Sequence, residues 1–178
     1  MRKILVGQQP GGYNDQIRDE YQHIDDRVIK TRIVAPEPLW AGKAGSTGRR
    51  LAMLCNLEVE QYHKEFLRFN ILPVSSGVSF RVTKYTKEMG RYLKTQFLPE
   101  DLVICLGLDV AECIGVELEE PFVMYPTDSG IFYGYIPHPS GLNRWYNERE
   151  NWQKAQDFMT ALAYYPNEYD PESVEEVE

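Results

Sequence analysis

Five short apolar runs, each stopped by a glycine or a proline, most constrain how this chain can fold. They cover residues 3–6, 66–72, 102–106, 121–125 and 131–136, and the stops are Gly7, Pro73, Gly107, Pro126 and Pro137. Runs this short have strand length and fall below the length of a buried helix. Longer amphipathic stretches lie between and after them. Residues 45–57 read as a helix that Ser46 or Thr47 caps, with Leu51, Leu54 and Cys55 on one face. Residues 84–97 carry an apolar stripe of Tyr85, Met89, Tyr92 and Leu93, and residues 110–114 form a short helix. Residues 147–164 make the final helix, its core face formed by Trp152, Ala155, Phe158, Met159 and Leu162. Residues 15–21 suggest a helical turn and residues 28–34 an extended segment. Strands alternating with helices predict an α/β fold, a three-layer α/β/α arrangement with a mostly parallel central sheet. In such sheets ligands bind at the carboxyl ends of the strands, so the loops after Val6, Leu72 and Ile136 converge on one cleft if those strands are neighbours.

With 178 residues and 43% apolar content, the chain suits one domain, here residues 1–165. Residues 166–178 hold six acids and no Lys or Arg, which predicts an acidic disordered tail. The net charge is −8, yet without that tail the body carries 21 acids against 19 bases. Such a body is no general polyanion binder, but a local patch on it can meet DNA. Cys55, Cys105 and Cys113 form no C-x-x-C pair, which argues against a metal site, an iron–sulfur cluster or a disulfide framework. No apolar run approaches the roughly 18 residues of a membrane span, and no export signal opens the chain. The expectation is a cytoplasmic, nucleoid-associated monomer with no membrane partner, no metal and no cofactor.

Four segments carry chemistry. Gly7-Gln8-Gln9-Pro10-Gly11-Gly12 follows a strand, where glycines allow close approach of a ligand; read alone it fits a tight turn equally well. It is neither a P-loop nor a dinucleotide fingerprint. In Leu39-Trp40-Ala41-Gly42-Lys43-Ala44-Gly45, the Trp can stack on a flat ring, and Lys43 with the helix start can take a phosphate; an ordinary core Trp is the plainer alternative. Asn70, in Arg68-Phe69-Asn70-Ile71-Leu72-Pro73, can read the edge of a base, though a lone Asn more often forms a turn. The most informative stretch is Pro137-His138-Pro139-Ser140-Gly141-Leu142-Asn143-Arg144, where flanking prolines preorganise an imidazole or simply stiffen a turn. His23 and His63 stand in polar stretches and read as surface residues.

Taken together and in this order, the motifs resemble those of the uracil-DNA glycosylase superfamily, over most of residues 3–160. The likeness is nearest in style to the thermostable bacterial and mismatch-specific branches. Gly7-Gln8-Gln9-Pro10-Gly11 is similar to the family's Gly-Gln-Asp-Pro or Gly-Glu-Ala-Pro-Gly loop. Residues 39–45 are similar to its Pro-Phe-Val-Gly-Lys-Ala-Gly segment. Asn70 to Pro73, Leu102 to Ala111 and His138 to Ser140 match its remaining signatures. The resemblance implies that His138 is the catalytic histidine and that Gln8 and Gln9 sit in the water-activating loop. It also implies that Asn70 and Trp40 bind the base, and that Leu142 fills the hole it leaves. Arg144, Ser140, Lys43 and Gly45 would then face DNA. Arg49, Arg50 and Arg81 are further candidates for phosphate contact.

That resemblance implies a DNA glycosylase that hydrolyses the N-glycosidic bond of a flipped-out pyrimidine in single- or double-stranded DNA. Two departures qualify it. Gln9 stands where an Asp is common, and Gln is no general base near neutral pH; Asp15 is a nearby substitute. The cluster cysteines of the thermostable branch are absent. Gly11 replaces a Tyr that blocks position 5 of the pyrimidine in the uracil-specific branch, so 5-modified or mismatched bases become candidate substrates, as in phage or anti-phage chemistry. The alternatives are a catalytically silent module that binds nucleotide, nucleic acid or protein, and an enzyme acting on a free nucleotide or nucleoside.

Overall fold

A computed structural model describes residues 1–8, 47–72, 79–140 and 143–165. The elements run β1 (Lys3–Gly7), α1 (Thr47–Leu54), α2 (Val59–Glu65), β2 (Leu67–Asn70), α3 (Lys84–Lys94), β3 (Leu102–Leu106), α4 (Leu108–Ile114), β4 (Tyr125–Pro126), β5 (Phe132–Ile136) and α5 (Arg149–Ala163). A single 3-10 turn, Arg144–Asn147, precedes α5. The strands form one five-stranded sheet in the order β2-β1-β3-β5-β4. Every pairing is parallel except that of β4 with β5. The expected three-layer α/β/α architecture is therefore present.

Alternation along the central strands divides the core in two. Leu5, Ile104, Leu106 and Ile136 face one layer with Leu51 and Leu54 of α1, Tyr62 of α2, and Ala155, Met159 and Leu162 of α5. Ile4, Val6, Val103, Cys105 and Tyr133 face the other, with Leu93 of α3 and Val110, Ala111 and Ile114 of α4. Each β residue thus contributes to one face only, as a pleat of period two dictates. A parallel crossover has a fixed hand, so reversing the direction of travel moves the connecting helices to the other face. The chain leaves β1 toward β2 through α1 and α2, and leaves β3 toward β5 through α4. The switch in direction falls between β1 and β3, and in such sheets ligands bind outside the carboxyl ends of the strands at that point.

Several expectations need correction. Residues 121–125 are not a strand: Phe122 adopts φ 63°, in the left-handed region, and only Tyr125–Pro126 pair with β5. The stripe expected of α3 is rotated by about one position, because Thr86, Gly90 and Leu93 are buried while Tyr85 and Tyr92 are exposed. The cause is close docking on α4: a side chain at Gly90 would collide with the Cys113 carbonyl. The strand expected at 66–72 is shorter, Leu67–Asn70, and helix α2 was not anticipated. All three cysteines are free and buried. Residues 15–21 and 28–34 lie outside the described residues, as does the acidic tail. Among the described residues no helix is long and apolar enough to cross a membrane.

Candidate functional site

The carboxyl ends of four neighbouring parallel strands hold the site. Asn70 is the last residue of β2 and pairs in register with Gly7, the last of β1. Its side chain lies across Gly7, where a Cβ would strike the Asn70 Oδ1, so only glycine lets the carboxamide fold inward over β1. The ladder continues past the strands, with Ile71 N–H donating to the Gly7 carbonyl at 2.9 Å and Leu72 N–H to the Gln8 carbonyl at 3.0 Å. Asn70 is 6% exposed. Neither its Nδ2 nor its Oδ1 has a hydrogen-bond partner among the described residues. Leaving such a group unsatisfied costs roughly 1–3 kcal/mol, so a buried carboxamide with both ends open is expected to be rare unless a ligand completes it.

His138 approaches from the other side. It follows β5, whose Ile136 carbonyl accepts from Gly107 N–H at 2.9 Å. Gly107 ends the β3 run at φ 100°, a conformation that disfavours any side chain, and a Cβ there would sit 3.4 Å from the His138 Cβ. Asn70 therefore covers Gly7 and His138 covers Gly107. The strands that carry the two glycines are neighbours, about 4.8 Å apart. Asn70 and His138 thus stand at the same end of two neighbouring strands.

The backbone of the His138 loop is pinned at three carbonyls. Tyr146 Oη donates to the Pro137 carbonyl at 2.5 Å, Asn143 Nδ2 to the His138 carbonyl at 2.8 Å, and Arg50 Nη1 to the Ser140 carbonyl at 2.7 Å. The Asn143 side chain also caps the 3-10 turn by accepting from Trp145 N–H at 3.1 Å. Burial holds the His138 imidazole below its ordinary value of 6.5, with the Asp109 carboxylate pushing partly the other way. The ring is thus neutral at pH 7, able to donate from one nitrogen and accept at the other. Burial pushes the thiols of Cys55 and Cys105 up to about 12, which removes them as nucleophiles.

Of the residues that the sequence singled out, Gln8, Asn70, His138 and Ser140 fall at this one end of the sheet. Arg144 is exposed in the 3-10 turn that follows the loop. Arg81 is exposed before α3. Arg50 donates through Nη1 to the Ser140 carbonyl and stacks on Tyr146 and Trp152. His63 is half-buried beside the Tyr62 ring rather than fully at the surface. Gln9, Gly11, Asp15, His23, Trp40, Lys43, Gly45 and Leu142 lie outside the described residues. Sequence reasoning missed Tyr146 as a support of the loop; the Asn-Arg-Trp-Tyr-Asn run directly after the His-Pro-Ser motif was the available signal. Among the described residues no cluster of His, Cys, Asp and Glu could hold a metal ion. In comparisons with known proteins, no family model and no curated protein matches this chain.

Proposed function

We propose that this protein is a DNA glycosylase that hydrolyses the N-glycosidic bond of a flipped-out uracil-like or 5-modified pyrimidine, leaving an abasic site. The single observation that carries the proposal is the buried Asn70 carboxamide, whose donor and acceptor both lack a partner among the described residues, at the sheet end that also bears His138. A pyrimidine edge presents an adjacent acceptor and donor, which one carboxamide can satisfy together. As the bond from sugar to base breaks, its electron pair goes to the base and charge gathers on the 2-carbonyl oxygen. An imidazole N–H from His138 stabilises that anion as an oxyanion hole does. Water then adds to the oxocarbenium-like sugar, and the proton it loses passes through solvent to the pyrimidine anion, which leaves as the neutral base. Gln8 and Gln9 belong to the loop that would hold this water, and neither can take its proton as a base near pH 7. Reaching the bond requires the base to leave the stack.

The reading is tested by base release from labelled oligonucleotides that carry uracil, mismatched thymine, 5-hydroxymethyluracil, 5-hydroxymethylcytosine or its glucosylated form, in single and double strands. Release is expected from at least one of them, and His138→Ala should slow it about 100- to 1000-fold while the fold survives. Release from none, by folded protein, contradicts the proposal. Gln9 in place of a carboxylate favours a second reading, a binding module on the same scaffold. Its signature is tight binding of such DNA without release.

A further inference from the structure

We propose that Arg50 is the positioning residue of the His138 loop, a strut from α1 that fixes the direction of the imidazole. The inference rests on the glycosylase reading only for its kinetic consequence; the geometry stands apart from it. Arg50 lies 90 residues before the carbonyl to which it donates, that of Ser140, so it ties α1 to the loop across the domain. Its guanidinium carbon sits 5.2 Å from the centroid of the Tyr146 ring and 5.9 Å from that of Trp152. Those rings meet edge to face, with centroids 6.2 Å apart. A planar cation so placed has few rotamers to lose and keeps its charge at every ordinary pH.

The same Tyr146 donates to the Pro137 carbonyl, so Arg50 reaches both sides of His138. It bonds Ser140 directly and stacks on the residue that holds Pro137. Asn143 fixes the His138 carbonyl between them. Removing Arg50 leaves the Ser140 carbonyl, among the described residues, with the Asn143 N–H at 3.1 Å, and takes the stacked cation from Tyr146 and Trp152. The loop then loses a contact that ties it to α1, and a looser loop should admit more water to the imidazole. Asp109, on α4, is the charged group that bears on His138, and it keeps its place in either case. Misplacing a reacting group by about 1 Å can cost on the order of 100-fold in rate.

The test compares wild type, Arg50→Gln and Arg50→Lys by NMR titration of the His138 imidazole and by base release. Arg50→Gln is expected to move the His138 pKa up toward 6.5 as the ring becomes wetter. Arg50→Lys, which keeps charge and reach but not the planar stack, should move it less in the same direction. In the kinetic arm kcat should fall about 10- to 100-fold in Arg50→Gln with KM little changed. A wild-type titration in folded Arg50→Gln overturns the proposal. If Arg50→Gln does not fold, Arg50→Lys carries the test, and a wild-type titration there overturns it equally. The NMR arm needs no turnover, so an inactive wild type would refute the glycosylase reading while leaving the strut to be judged on its own.

Discussion

The two ends of the sheet treat buried polar groups in opposite ways. At the amino end, Lys3 is fully buried yet bonded to Glu65, and it donates to the Ala163 carbonyl at 2.9 Å. Asp101, also buried, accepts from Arg2 at 2.9 and 2.5 Å and from Leu98 N–H at 2.7 Å. These bonds sew β1 to α2, α5 and the start of β3. At the carboxyl end, Asn70 is buried with neither polar atom partnered among the described residues. Tyr62 and Tyr133 also bury unpartnered hydroxyls, but each offers one atom inside an apolar layer, whereas Asn70 offers a donor and an acceptor at a strand end. The difference is that, among the described residues, one end is finished by its own contacts, whereas at the other the Asn70 carboxamide is not. An open ligand site in an α/β sheet is expected at the carboxyl ends.

The sharpest way to break this comparison is at the closed end. Glu65→Ala takes the carboxylate from the buried Lys3 ammonium and leaves it the Ala163 carbonyl; with Glu65 partly exposed, the cost should be up to about 3–5 kcal/mol, the range for a buried pair broken from one side. Denaturant unfolding should show a loss of that size, while the base-release rate of the folded fraction stays near wild type. A loss of activity without a loss of stability would erase the division between the two ends. A smaller effect concerns the open end and pH. Since burial keeps His138 below 6.5, kcat/KM should be flat from neutral pH down to that value. Any acid limb that His138 contributes, where the neutral donor becomes an imidazolium, should appear only on the acid side of the depressed pKa. His138→Gln should lack this acid limb. An acid limb centred above 6.5 would mean that the ring is not held as described.

Much of the fold was legible because local signals and tertiary packing agreed. Leu102–Leu106 is uniformly apolar and ends at a glycine, and it is a strand over those same residues. The core face of α5 was equally plain, since Ala155, Met159 and Leu162 recur at helical spacing and are buried. Where packing departed from pattern, the sequence misled. The buried face of α3 is set by Gly90 lying against Cys113, and a glycine does not announce itself as a contact in a hydrophobic stripe. Helix α2 carries only Val59 and Tyr62 as apolar residues among charged and polar ones, a weak stripe that Phe66 extends by one position. The Phe122 backbone gives no sign in composition. In the candidate site, His138 stood out because two prolines flank it. Arg50 read as a candidate phosphate contact or a solvated surface charge, because its observed contacts are with partners about 90 to 100 residues away. The open carboxamide of Asn70 could not be read at all, since burial and missing partners are properties of the folded chain.

The most direct test replaces Asn70 with Leu, a side chain of similar size and no polarity, and measures unfolding free energy and base release on the same preparation. If the carboxamide is kept open for a ligand, removing both unsatisfied atoms should raise stability by about 1–3 kcal/mol and abolish release. A protein that loses stability and keeps its activity would contradict the account, because Asn70 would then serve the fold and not a ligand.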